Sequence, residues 1–455
     1  MARDTSVLGA INRRIVLEQS VARLVLVWAM RAQLRRLSTP SLRRRYSTAP
    51  LPNWEAPTTP ALPHWEGADL PVAQASCLPP IYYTSPQIAA AERDVIFKRS
   101  WQFLPSAATV SSEGAFKCGT HAGGIRYLLS RAKDGQLRAF RNACRHHHHS
   151  VAKGEGTANK FVCPYHGWTY ALDGRLMKAT GISGIESFKA KEHGLEALHL
   201  QQLGVASFAW LGRLPDGEAS PPSIVEVLGQ QSAEAMEAAV SAYCERPDGS
   251  TAYAEDGTQT LVHVASRAYK IDCNWKVFVD NYLDGGLHVP VAHPGLAADL
   301  DFGSYTTRMA GDNASVQCVG SKEGDQASAR VRGGMKAAYT FVWPNLMLNR
   351  YGGGDGTARW LDTNLVVPDL VEPHRKCTVY FDWWTEPEAA ADRQYIESSL
   401  ADSEIVQEED MALCNDIQLS LDADEGQRGR FAPKHEHAMF HFHKRVYEAL
   451  QQGVV

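Results

Sequence analysis

The 455-residue chain has no apolar run of bilayer length where its N-terminus might suggest one. The uncharged stretch Leu24–Met30 spans seven residues between Arg23 and Arg31, against the roughly 20 that a membrane helix needs. A regular cysteine framework is missing too. The nine cysteines are odd in number and scattered from Cys77 to Cys414, which excludes a secreted disulfide scaffold. There is no GxGxxG following a strand and no P-loop, so a fused nicotinamide or flavin reductase is not expected. The glycine run Gly352–Gly356 reads instead as a hairpin turn between strands. No internal repeat or long low-complexity tract is present. With 44% hydrophobic and 21% charged residues, the composition excludes disordered, collagenous and multi-pass membrane chains. The length predicts two or three domains.

Acidic residues are nearly absent from the first fifty positions. Ten Arg, no Lys, and only Asp4 and Glu18 give that segment +8, leaving −13 on the remainder of a chain whose net charge is −5. A nucleic-acid binder would need the opposite balance over its body. An Arg-rich, Ser-containing, acid-poor arm is the composition of an organellar transit peptide. It is expected over residues 1–48, beginning at Met1 or Met30. Composition fits a plastid or a mitochondrial signal, and RRRYSTAP has at least as mitochondrial a character. Residues 49–80 then hold eight prolines, which deny the backbone the donors of helix or sheet. They predict an extended linker or a surface-hugging strap, with the folded body starting near Ile81.

Chemistry first shows in NACRHHHHSVAKGEGTANKFVCPYHGWTY, residues 142–170. Cys144-x-His146 and Cys163-x-x-His166 are separated by sixteen residues. A four-histidine tract in mid-chain within a Cys/His pattern is not a tag. Zinc is the serious alternative, since it accepts Cys₂His₂. Zinc fingers, however, pair Cys with Cys and His with His, whereas each short motif here supplies one of each. Gly154 and Gly156 after the first motif, with Pro164 and Gly167 in the second, suit tight loops rather than a recognition helix. Two loops each offering one thiolate and one imidazole suit a Rieske [2Fe–2S] centre, where Cys₂ holds one iron and His₂ the other.

A second constellation lies at residues 274–300. Asp284, His288 and His293 fall within ten residues of mostly apolar and aromatic sequence, with Pro290 interrupting any continuous helix. Isolated histidines are usually ordinary core or surface residues. Two imidazoles plus a carboxylate are also the facial triad of non-haem Fe(II), which leaves positions open for O₂. The carboxylate is expected from Asp410, in a segment over 404–421 of helical composition. Val406, Leu413, Ile417 and Leu421 mark an apolar stripe there, and Asp410 falls on it. A buried carboxylate is costly unless paired or metal-bound. Glu408, Glu409 and Asp416 read as a solvated acidic face.

These motifs resemble the Rieske non-haem iron oxygenases over residues 81–455, with the oxygenase rather than the respiratory type of Rieske box. Tyr165 stands where the respiratory type has a disulfide cysteine, and His147 where oxygenases usually have Arg. NWKVFVDNYLDGGLHVPVAHPGL, PNLMLNRYG, LDTNLVVP and QEEDMALCNDIQ are similar to the choline monooxygenase branch. The resemblance implies a [2Fe–2S] cluster on Cys144, His146, Cys163 and His166, and a mononuclear iron on His288, His293 and Asp410. It also implies that Asp284 bridges that iron to a neighbouring subunit's Rieske histidine. Three residues, not the usual two, separate Asp284 from His288, a spacing the choline-type proteins share.

The implied activity is ferredoxin-dependent monooxygenation of choline to betaine aldehyde (hydrate) with O₂, the first step of glycine betaine synthesis, in the chloroplast stroma or the mitochondrial matrix. Another small quaternary amine such as glycine betaine or carnitine is the alternative, and a Rieske electron-transfer protein without oxygenase activity is a third. A quaternary ammonium would need aromatic faces; Trp343, Tyr351, Trp360, Trp383 and Trp384 lie in the catalytic half, with core packing the alternative for most of them, while Leu287 replaces a usual Tyr. A head-to-tail homotrimer is implied by the family. The expected fold class is α+β. A mainly β Rieske domain over 81–215, led by a short helix near Gln87–Arg99, precedes an antiparallel-sheet helix-grip catalytic domain over 216–455. Candidate strands of the latter are Ala338–Tyr351, Trp360–Val367 and Cys377–Trp384.

Overall fold

The computed structural model describes residues 62–212, 214, 219–240, 261–298, 300–321, 337–351, 360–423 and 428–452. The arm 1–48 and the turn Gly352–Gly356 lie outside the described residues.

The fold is α+β, with every strand pair antiparallel. The first half holds β1 (Trp101–Phe103), β2 (Ala115–Thr120), β3 (Arg126–Arg131), β4 (Leu137–Arg141), β5 (Glu155–Thr157), β9 (Ala197–Leu203) and β10 (Ala206–Trp210). They form a seven-stranded sheet in the order β1-β10-β9-β4-β3-β2-β5. Between β5 and β9, the short strands β6 (Phe161–Val162), β7 (Thr169–Tyr170) and β8 (Leu176–Lys178) make a small second sheet. The expected leading helix runs Pro86–Val95. Ser85 caps it by accepting from the Ile88 amide, and a 3-10 turn at Phe97–Arg99 follows.

The second half is a seven-stranded sheet, β11-β17-β16-β15-β14-β13-β12. Its strands are β11 (Val262–Ile271), β12 (Leu300–Met309), β13 (Ala314–Ser321), β14 (Ala337–Val342), β15 (Leu346–Tyr351), β16 (Trp360–Pro368) and β17 (Cys377–Thr385). The single strand expected over Ala338–Tyr351 is two strands. A turn at Trp343–Asn345 reverses the chain, so that Val342 pairs with Leu346. Pro344 cannot donate to a ladder, which is why the run breaks there.

The helix Trp275–Leu283, capped by Asn274, packs on β16 and against the long helix Arg393–Ala423. The buried positions of that long helix are Ile396, Gln407, Cys414 and Gln418. Of the expected stripe, Leu421 packs against the core and Val406 lines a cavity with Asp410, while Ile417 is exposed. Asp410 stays on the inner side because it falls three after Gln407 and four before Cys414.

The folded body begins before Ile81. Trp65 is fully buried and packs edge-on against Phe440, His443 and Tyr447 of the last helix, His437–Gln452. Its indole N–H donates to the Ser76 carbonyl. Of the two expectations for the proline-rich stretch, residues 62–80 follow the strap. Among the described residues, no helix is long and apolar enough to cross a membrane.

Candidate active site

Two loops in the first half repeat one backbone pattern. The Cys144 amide donates to the His149 carbonyl and the Cys144 carbonyl accepts from His148. Likewise the Cys163 amide donates to Trp168 and its carbonyl accepts from Gly167. In each loop the fourth residue after the cysteine takes positive φ, 56° at His148 and 75° at Gly167, so each chain folds back over its own cysteine. Cys144 and Cys163 are buried in one small core with Phe140, Phe161, Trp168 and Tyr170.

The imidazoles lie outward. His166 is exposed and His146 partly so, with ring centroids 4.7 Å apart. His146 stacks parallel on the buried Trp168 at 4.9 Å. Its Nδ1 is buried with no hydrogen-bond partner, and desolvation, with the nearby His147 and His166, lowers its pKa. An aromatic nitrogen kept neutral and unpartnered is the state a metal ligand needs. The Tyr170 hydroxyl lies 3.1 Å from Cys144 Sγ and accepts the Arg145 amide. The imidazoles of His146 and His166 thus meet at the surface, beside the small core that buries Cys144 and Cys163. His147 joins the imidazole cluster, its ring nitrogen within 4.8 Å of those of His146 and His166.

The second site is built by three elements. His288 and His293 flank the single turn Val289–Ala292, which starts with Pro290 near its N-terminus and is followed by Pro294. The two rings stand nearly perpendicular, 5.1 Å apart. From the long helix, Asp410 Oδ1 lies 3.0 Å from His293 Nε2 and 3.6 Å from His288 Nε2. One donor atom from each of the three lies within 4.8 Å of the others, so two imidazoles and a carboxylate converge as a facial set would require. Asn281 steadies Asp410 by donating Nδ2 to Oδ1 at 2.8 Å.

Each histidine has a carboxylate behind it. Asp284 Oδ2 lies 2.7 Å from His288 Nδ1 and accepts the His288 amide, while Oδ1 accepts Gly286 N–H. The extra residue between Asp284 and His288 is absorbed by two successive left-handed glycines, Gly285 at φ 72° and Gly286 at φ 75°. A Cβ at Gly285 would meet the His435 carbonyl at 2.6 Å, so the conformation and the space both demand glycine. Behind His293, Glu409 Oε2 lies 2.7 Å from Nδ1. Glu409 therefore does not belong to the solvated face expected of it, whereas Glu408 and Asp416 are exposed. Burial opposes protonation of His293, but the bonds and charges of Asp410 and Glu409 outweigh it and raise its pKa.

A cavity of about 140 Å³ opens beside the triad. Of the aromatic candidates in the sequence, only Tyr351 lines it. Trp343, Trp360, Trp383 and Trp384 are packed in the core, and Leu287 is 42% exposed and outside the cavity wall. The aromatic walls are instead Phe278, Tyr282, Tyr305, Tyr339 and Phe381, with Tyr351. Burial raises the Tyr282 and Tyr305 pKa values, keeping both phenols neutral. The acidic groups on the wall are Asp284, Asp362 and Asp410, and no Lys or Arg lines it among the described residues.

Comparison with known proteins places these two sites in a family. Residues 100–189 match the Rieske [2Fe-2S] domain, and residues 258–452 match the ring hydroxylating alpha subunit (catalytic domain). The chain is 37% identical over 387 residues to the chloroplastic choline monooxygenase of Arabidopsis thaliana, covering 84% of this chain and 85% of that one. It is 34% identical to the enzyme of that name from Beta vulgaris, covering 86% and 81%. A crystal structure of a quaternary ammonium Rieske monooxygenase superposes with a TM-score of 0.67 at 23% identity, over 84% of this chain and 97% of the other. The orphaned His146 nitrogen, the buried thiols and the converged triad fit the two iron groups of such proteins. The chain belongs to the Rieske non-haem iron oxygenases, in the group of the choline monooxygenases, and is an O₂-dependent oxidoreductase with a [2Fe–2S] cluster and a mononuclear iron.

Proposed function

We propose that this oxygenase oxidises choline to betaine aldehyde hydrate, the first step of glycine betaine synthesis. Choline, O₂ and a pair of electrons with their protons give the hydrate and water. When bound, the mononuclear iron supplies O₂ activation and the [2Fe–2S] cluster supplies electrons to it. Cys144, His146, Cys163 and His166 would hold the cluster, and His288, His293 and Asp410 the iron. Asp284 and Glu409 keep the Nδ1 of each imidazole engaged, so that Nε2 of each faces Asp410. Asp284 is also our candidate for the link to a Rieske histidine of a neighbouring subunit, in a homotrimer.

The observation that supports choline is the cavity. It has acidic groups and tyrosine faces, and no Lys or Arg among its described lining residues. A cation without a carboxylate suits such walls. Carnitine and glycine betaine each bring a carboxylate that would need a basic partner.

The electron donor we propose is a ferredoxin or a similar acidic carrier. Residues 100–189 contain twelve Lys and Arg against five Asp and Glu in a chain that is acidic overall. Arg145, Lys153, Lys160 and Lys178 among them are exposed. We assign residues 1–48 as a transit peptide, 49–80 as a proline-rich linker whose later part is the strap, 81–215 as the Rieske domain and 216–455 as the catalytic domain. The relatives' names support the chloroplast; within it we assign the stroma, with the mitochondrial matrix as the alternative.

Turnover of a choline, carnitine and glycine betaine panel by the reconstituted enzyme with ferredoxin and its reductase tests the reading. Choline-dependent betaine aldehyde is the expected product, and its absence overturns the proposal.

A further inference from the structure

The side-chain amides around the catalytic cavity donate to the protein, with one exception. Asn281 gives Nδ2 to Asp410 at 2.8 Å, and Gln317 gives Nε2 to the Tyr282 carbonyl at 2.8 Å. Asn349 and Asn364 give theirs to Asp362 at 2.7 and 3.2 Å. Gln407, on the long helix, lines the same cavity and is only 4% exposed. Its Nε2 is buried with no hydrogen-bond partner. Among the described residues lining the cavity, no other has a buried side-chain nitrogen or oxygen left orphaned.

A buried amide N–H without an acceptor costs free energy, and native interiors seldom retain one without a reason. The terminal torsion of a glutamine is broad and roughly two-fold, so this donor can swing between core and cavity without disturbing the helix. An acceptor that enters the cavity removes the deficit, and no bond within the protein has to break first. Recruiting Asn281 instead would loosen Asp410, and recruiting Asn349 or Asn364 would cost Asp362 a hydrogen bond.

The methylated nitrogen of choline has neither an N–H nor a lone pair, so the tyrosine faces of the cavity are what can hold it. The hydroxyl is the part of the molecule that a free amide can read. We infer that Gln407 is the residue that recognises the substrate's alcohol, donating Nε2–H to the carbinol oxygen. Gln407 stands three residues before Asp410 in the helix, and so on the same face. An oxygen held there brings the carbon that bears it toward His288, His293 and Asp410, and turns the N-methyl groups away. Gln407 thus sets which C–H bond is presented as well as which substrate is accepted. A site built to hydrogen-bond an alcohol rejects the analogue that lacks it, because its donor is then left buried and unpaired. The inference rests on the proposed choline reading and extends it to recognition of the hydroxyl.

The test compares the anaerobic holoenzyme with its Gln407→Leu and Gln407→Met variants, which keep most of the bulk and remove the donor. Calorimetry measures the binding of choline and of ethyltrimethylammonium, the same cation without the oxygen. Wild type is expected to prefer choline by about tenfold. Both variants should lose that preference through weaker choline binding, with ethyltrimethylammonium affinity and mononuclear iron content near wild type. A choline preference that survives in the variants, equal losses for both cations, or no preference in wild type overturns the inference. The choline reading is checked separately, by betaine aldehyde formed by wild type with O₂ and reduced ferredoxin. A Gln407-dependent preference without that product overturns the choline reading and leaves the alcohol seat standing.

Discussion

His293 turns Nδ1 to Glu409 Oε2 at 2.7 Å and Nε2 to Asp410 at 3.0 Å. Two adjacent acids of one helix thus grip opposite nitrogens of one ring. This mirrors Asp284 on His288, also at 2.7 Å. A carboxylate behind a metal-binding imidazole fixes its tautomer and raises its basicity. Glu409→Ala is expected to weaken mononuclear iron binding by about 10- to 100-fold and to leave the Rieske visible spectrum unchanged. Metal titration of apo-protein measures it. Wild-type iron affinity in the variant would show that Glu409 is only a surface acid.

Asp410→Ala removes the only carboxylate common to both Nε2 atoms among the described contacts. Iron per chain is expected to fall from about three to about two, the Rieske pair being retained. Loss of both centres together would mean that the sites are not separate.

Lys276 and Glu92 form an ion pair with both side chains almost wholly buried, at 2.6 Å, and the Trp275 indole also donates to Glu92. Burial lowers the Lys276 pKa while Glu92 pulls it back up. Removing one partner of such a pair costs about 3–5 kcal/mol. Lys276→Met should therefore destabilise the fold strongly, and adding Glu92→Leu should recover most of the loss. Denaturant midpoints of the single and double variants distinguish this from simple packing damage, for which the two losses would add.

Positive charge around the Rieske loops predicts salt-sensitive electron delivery. Lys153→Glu with Lys178→Glu is expected to raise the KM for ferredoxin by about tenfold or more at low salt, with the choline KM unmoved. The gap to wild type should close as salt rises. A salt-independent KM for ferredoxin in the wild type would place donor docking elsewhere.

The cluster loops were legible because Cys144-x-His146 and Cys163-x-x-His166 are local patterns, and the local backbone repeats as the spacing implies. The histidines of the second site were legible for the same reason. The stripe around Asp410 is only partly legible, because its helix buries Gln407 and Gln418, polar residues that a hydrophobicity pattern skips. Glu409 and Asn281 were invisible because their partners lie 116 and 129 residues away in the chain. Which aromatics wall the cavity and which pack in the core is open in the sequence for a related reason. Large rings are equally at home in a core or a cavity, and only sheet register decides that Tyr339 faces the cavity while Trp360 and Trp383 pack into the core.

The strap at Trp65 ties the order of synthesis to the order of folding. Its aromatic partners are Phe440, His443 and Tyr447, so the earliest part of the described body completes its packing on a helix made long after it. A chain delivered N-terminus first keeps this seam open until the helix His437–Gln452 arrives. Long-range closure of that kind is slow, which favours a chain that stays threadable during translocation. A proteolytic cut beyond Trp65 would leave that helix without its cover.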